Sequence, residues 1–155
     1  MTHYLSHIIG HAAIRHCSSP TAEPAINLQY YYVDKLLTWP QAQQYCREHY
    51  TDLATFESMD DINRLEPNIS YSWAWIGLWD DPNVWQSEMG NESNSWRWSA
   101  TGETSKTGYQ SWATGDPDFG YSGEMCALMV NNTLHKWGDE RCQAIKVFIC
   151  EQGDC

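Results

Sequence analysis

The chain contains no run of 18 apolar residues, so no segment of it is long enough to cross a bilayer as a helix. Basic side chains are scarce: nine Lys and Arg stand against 20 Asp and Glu, giving a formal charge of -11. Nucleic acid and anionic membrane surfaces would be repelled rather than steered in, which leaves cations, neutral ligands and basic proteins as partners. Six cysteines are present without a C-x-x-C pair, and the six histidines show no zinc-finger spacing beside them, which argues against structural zinc and thioredoxin-like exchange. A nucleophile elbow, a phosphate loop and an H-E-x-x-H helix are also missing. Paired carboxylates can hydrolyse glycosides, but one of them needs a raised pKa, and acids crowded around a cation have lowered ones. A binding module is therefore expected, not an enzyme.

What is present fits one ordinary domain. A chain of 155 residues buries roughly two thirds of its unfolded surface, enough for a real core. Nine Trp and nine Tyr against three Phe favour rings with a polar tip, suited to a small core of large side chains and to half-exposed recognition surface. Cysteines at 17, 46, 126, 142, 150 and 155 leave 15 pairings open and read as disulfides. Three glycosylation triplets, at Asn68, Asn91 and Asn131, agree with an oxidising compartment. Residues 1–28 lack the basic start and long apolar run of a signal peptide and read as a loosely ordered leader, with the domain at 29–155. His3, His7 and His11 recur every four residues, a stripe that a helix would align, but a leader is the simpler account.

Gln29 to Val33 reads as a strand from its aromatic and β-branched content. Thr38-Trp39-Pro40-Gln41 reads as a helix start with a capping box, and Trp39, Ala42, Tyr45 and Cys46 share its apolar face. A second helix starts at Ser58, carries Ile62 and Leu65, and is stopped by Pro67. From Trp73 onward come short apolar runs, Trp75 to Leu78, Trp96 to Trp98, Met125 to Val130 and Val147 to Cys150. The 47 residues between Leu78 and Cys126 are rich in Gly, Ser, Asn and Asp with little periodicity. Long irregular segments of this kind are usually functional. The fold class is α+β: two early helices and small antiparallel sheets with a long irregular loop region, stapled by disulfides.

Within 24 residues lie Asp116, Asp118, Glu124 and Asp139, two of them flanking Pro117. Clustered carboxylates repel one another unless water or a cation screens them, and a hard divalent ion, calcium first, suits such oxygens.

Together these features resemble the C-type lectin-like domain over about Tyr31 to Glu151. Trp75-Ile76-Gly77-Leu78 is similar to its WIGL signature, Trp96-Arg97-Trp98 to its W-x-W strand, and Trp137-Gly138-Asp139 to its W-N-D motif. The resemblance implies bridges Cys46–Cys150 and Cys126–Cys142. Cys17 and Cys155 are left to pair with each other or to link two chains into a dimer. It also implies a calcium ion held by Asp116, Asp118, Glu124 and Asp139, with a cis peptide before Pro117, two sugar hydroxyls completing the ion's shell. Phe119, Tyr121 or Trp112 would stack on the sugar ring, and Trp137 would be core beneath the site. The chain departs from the pattern at Asp116, one methylene shorter than the usual Glu or Gln, and at Gly138, which removes an amide ligand. Asp118 leans toward galactose-type glycans. The expected function is calcium-dependent glycan recognition by a secreted or cell-surface protein. The alternative is a calcium-independent lectin-like domain that binds a protein.

Overall fold

A computed structural model describes residues 28–65, 72–84, 95–118, 125–130 and 135–153. Its elements are β1 (Gln29–Leu37), α1 (Trp39–His49), β2 (Asp52–Leu53), α2 (Met59–Ile62), β3 (Trp73–Asp80), a 3-10 turn (Pro82–Val84), β4 (Trp96–Trp98), β5 (Met125–Val130), β6 (Trp137–Arg141) and β7 (Lys146–Gln152). Residues 1–27 of the leader, with Cys17 among them, Pro67, the three glycosylation triplets, Phe119, Tyr121, Glu124 and Cys155 lie outside the described residues.

The strands form one sheet in the order β1-β7-β3-β5-β6, with β2 added to β7 and β4 to β3. All pairings are antiparallel except that of β3 with β7, which run parallel through Ala74↔Val147 and Trp75↔Phe148. The central strands are buried on both faces, which is why they read as continuous apolar runs instead of alternating ones. Along β3, Ala74, Ile76 and Leu78 enter one core layer with Phe56, Trp98, Met129 and Trp137. Trp75 enters the opposite layer with Val33, Trp39, Leu53, Leu128 and Phe148.

Gly77 marks the tightest approach. A Cβ there would sit 2.9 Å from the Ala54 carbonyl oxygen and 3.0 Å from that of Leu53, so only glycine lets β3 pass this backbone. Its own N–H donates to Ala54 O at 2.8 Å, closing the contact with a hydrogen bond.

Helix α1 begins as its sequence requires. The Thr38 hydroxyl accepts from the Gln41 N–H, the Gln41 side chain accepts from the Thr38 N–H, and Pro40 occupies the first turn. Trp39, Ala42 and Cys46 are buried, whereas Tyr45 is only half-buried. Tyr45 lies at the border of the layer, edge-on to Phe148, with the Lys35 ammonium over its ring. The indole N–H groups of Trp39 and Trp75 donate to Ile76 O and Leu37 O, so these large rings are buried without orphaned donors.

The second helix is a single turn rather than the longer element expected. Ser58 caps it, and after Ile62 the chain continues only as a turn, Leu65 N–H to Ile62 O. Just before it, the Glu57 carboxylate accepts from the Ser105 hydroxyl at 2.7 Å and from the Lys106 N–H at 3.1 Å, tying the long irregular segment to the domain.

Both expected bridges form: Cys46–Cys150, closing 104 residues, and Cys126–Cys142, closing 16. By the chain-entropy account, loops of these sizes stabilise by about 4.7 and about 3 kcal/mol.

Candidate functional site

Strand β6 carries the site's floor and one wall. Trp137 is fully buried and Asp139 half-buried, on a strand held to β5 by the pairs Ala127↔Asp139 and Leu128↔Gly138. The segment after Ser111 runs alongside. Trp137 N–H donates to Ser111 O and Ala113 N–H to Trp137 O, both at 2.8 Å, making a parallel bridge between Trp112 and Trp137.

Residues beyond this bridge turn back toward β6. Asp116 N–H closes a turn onto Ala113 O at 2.9 Å, through Gly115 at φ +88°, a backbone conformation that a side chain would strain. The Asp116–Pro117 peptide is cis, as the resemblance implied. The Asp118 N–H then donates to Asp139 Oδ1 at 3.0 Å, fastening the loop to β6.

The result brings Asp116, Asp118 and Asp139 together, with one carboxylate oxygen from each within 4.8 Å of the others. Asp116 and Asp139 are half-buried and Asp118 is exposed. Desolvation, and then repulsion from Asp139 and Asp118, pushes the Asp116 carboxyl above the usual carboxylate range. Three of the four expected acids are thus adjacent, and Glu124 lies outside the described residues.

An aromatic cluster roots this arrangement. Around Trp137 stand Trp98, Tyr109 and Trp112, edge-on with ring centroids 5.6 to 5.7 Å away, and Trp96 packs on Trp112 at 4.8 Å. Trp137 is the core residue beneath the acids, as expected. Trp112 is half-buried and packs against both Trp96 and Trp137.

One residue of the site escaped the sequence reading. A Cβ on Gly138 would stand 3.3 Å from Cζ3 of Trp73 and 3.6 Å from Oδ2 of Asp116, so the Trp73 indole and the acid flank the same point. Trp73 belongs to β3, two strands from β6, and is 39% exposed. Its sequence signal, a tryptophan opening the strand two residues before Trp75, gives no hint of a reach across β5.

Residues 35–152 match the family model described as "Lectin C-type domain". Among curated relatives, L-selectin of Bos taurus is 27% identical over 131 residues, 81% of this chain but 32% of that protein, so the chain spans about a third of that relative's length. The carbohydrate-recognition domain of the human scavenger receptor C-type lectin superposes with a TM-score of 0.66 at 22% identity, covering 88% of this chain and 98% of that one. A calcium-independent type II antifreeze protein superposes with a TM-score of 0.62 at 22% identity, covering 86% and 90%.

Proposed function

The chain belongs to the C-type lectin domain family, whose members are non-enzymatic binding domains, and from that premise we propose that it binds glycans through calcium held at Asp116, Asp118, Glu124 and Asp139. Carbohydrate recognition in general follows from the family; the dependence on calcium rests on the three described acids. Oxygens that share a calcium ion at 2.3–2.6 Å stand at most about 5 Å apart, and the spacing of Asp116, Asp118 and Asp139 falls inside that limit. Their hard anionic oxygens are the donor set this ion prefers, and their mutual repulsion without it supplies a driving force for uptake. This convergence is the single observation that carries the reading.

When bound, calcium offers open coordination positions to a pair of neighbouring sugar hydroxyls. The protein's own part is to orient the carboxylates. Asp139 Oδ1 accepts the Asp118 N–H, while the loop turn at Gly115 and the β6 backbone bring Asp116 beside Asp139. The same carboxylate oxygens would also accept hydrogen bonds from such hydroxyls, which would favour vicinal diols. The aspartate at 118 supports galactose-type over mannose-type sugars, with Phe119 and Tyr121 as further contacts.

The two disulfides support an oxidising, extracellular setting, either secreted or as the outer part of a cell-surface protein. Within it residues 29–155 act as the recognition domain and 1–28 as an extension, with Cys17 and Cys155 paired in the chain or joining two chains. Among the described residues no helix is long and apolar enough to cross a membrane.

A second reading, a calcium-independent domain that binds a protein, is favoured by Gly138, which contributes no side-chain ligand where the family's motif has asparagine. A glycan array probed in calcium and again in chelator separates the two. Binding that needs calcium and vanishes in Asp139→Ala supports the lectin reading. Binding unchanged by chelator and by that substitution refutes it.

A further inference from the structure

An indole left 39% exposed beside a cluster of acids gains nothing from the water around it, and the acids gain nothing from the ring. Trp73 nevertheless holds that position through a specific fit. It leans across β5 toward Gly138, whose missing side chain leaves room for Cζ3 and Cη2; a Cβ there would meet them at 3.3 and 3.7 Å. The first of these is tighter than ordinary contact, so any larger residue at 138 would have to push the indole aside. Glycine at 138 and tryptophan at 73 are therefore complementary: the ring stands where the side chain of residue 138 would otherwise project, next to Asp116 Oδ2.

Chemically, the pair sets an apolar flat surface against an anionic edge. A pyranose has the matching asymmetry, with hydroxyls along one edge and a C–H face on another. We propose that Trp73 is a specificity-determining residue of the glycan site, stacking on the C–H face of a pyranose whose hydroxyls are held at the acids; this rests on the calcium-lectin reading. The substitution that removes an amide ligand at 138 thus makes space for an aromatic contact. Trp73 also lines a groove of about 480 Å³ with Tyr32, Leu36, Ile145 and Lys146.

The test uses the whole chain, calcium chloride as the metal probe, and the methyl glycosides of galactose and mannose as sugar probes. Wild type, Trp73→Ala and Trp73→Phe are titrated by calorimetry, first with calcium alone and then with each glycoside in saturating calcium. Trp73→Ala takes up calcium as wild type does but binds the preferred glycoside about tenfold more weakly, and Trp73→Phe recovers part of the loss. In wild type the glycoside's ring protons shift upfield in NMR spectra, the signature of a stacked indole, and in Trp73→Ala that shift disappears. Equal glycoside affinity in Trp73→Ala with calcium uptake intact overturns the proposal, as does loss of calcium uptake in that variant, which would make Trp73 structural. If wild type itself takes up calcium but neither glycoside, the stacking role falls; if it takes up no calcium, the lectin reading falls first.

Discussion

Replacing Asp139 with asparagine should make the protein more stable without calcium and less stable with it. The side chain is nearly isosteric, and its Oδ1 still accepts the Asp118 N–H, so the loop remains fastened to β6. What changes is charge. Oxygens of Asp116, Asp118 and Asp139 lie within 4.8 Å, where two unit charges repel by roughly 1 kcal/mol in water and more in a less polar setting. Asp139 faces two such neighbours across a half-solvated site, so neutralising it relieves about 1–2 kcal/mol in the metal-free protein. For a domain of this size that corresponds to a rise in Tm of about 3–6 °C. In calcium at a hundred times its Kd, the wild type gains about 2.7 kcal/mol by linkage, whereas the variant, short of one anionic ligand, gains much less. Thermal unfolding followed by tryptophan fluorescence, in chelator and in calcium, should show the two melting curves exchange order. A variant less stable than wild type in both buffers would mean that the acids do not repel as their spacing requires. Identical melting of wild type in both buffers would mean that no ion binds.

Glu151 provides an independent test of the core. Burial pushes its carboxyl up to about 8, partly opposed by the hydrogen bonds from Thr55, so the folded state holds a proton that the unfolded chain releases near 4.5. Stability should fall as pH rises from about 4.5 to 8, by on the order of 5 kcal/mol at most, and Glu151→Gln, which keeps an acceptor for the Thr55 N–H, should flatten that slope in urea titrations at several pH values. Gly77→Ala should cost about 1–3 kcal/mol in the same assay, because the new methyl group meets two backbone carbonyl oxygens that cannot move like a side chain. Gly138→Asn should tighten calcium binding by adding a ligand oxygen while displacing the Trp73 ring, seen as a change in its fluorescence.

Local signals in the sequence were faithful where neighbours along the chain decide the structure. The Thr38–Gln41 capping box and the Ser58 cap both form from residues within a few positions of one another. The runs at 75–78 and 125–130 were legible because a strand buried on both faces leaves a continuous apolar record, whereas the pairing of Cys46 with Cys150 and of Cys126 with Cys142 came from the family resemblance alone. Two strands left none: β2 is only two residues long, and β6, Trp137–Arg141, is mostly polar and owes its strand form to pairing with β5. The second helix was overestimated because Ile62 and Leu65 share a helical spacing that the chain realises as one turn and then a bend. At the site, the acids were readable from their motif, and Trp73 was not. Its meeting with Gly138 depends on the registers of β3, β5 and β6 together, a relation that no stretch of sequence contains.

The central claim is that the carboxylates of Asp116, Asp118 and Asp139 form a calcium site. Calorimetric titration of calcium chloride into metal-free protein tests it most directly: one saturable site of sub-millimolar to millimolar affinity in wild type, abolished in Asp139→Ala, is the expected result. Featureless heats of dilution up to about 10 mM calcium, well beyond the range of extracellular calcium modules, would contradict it.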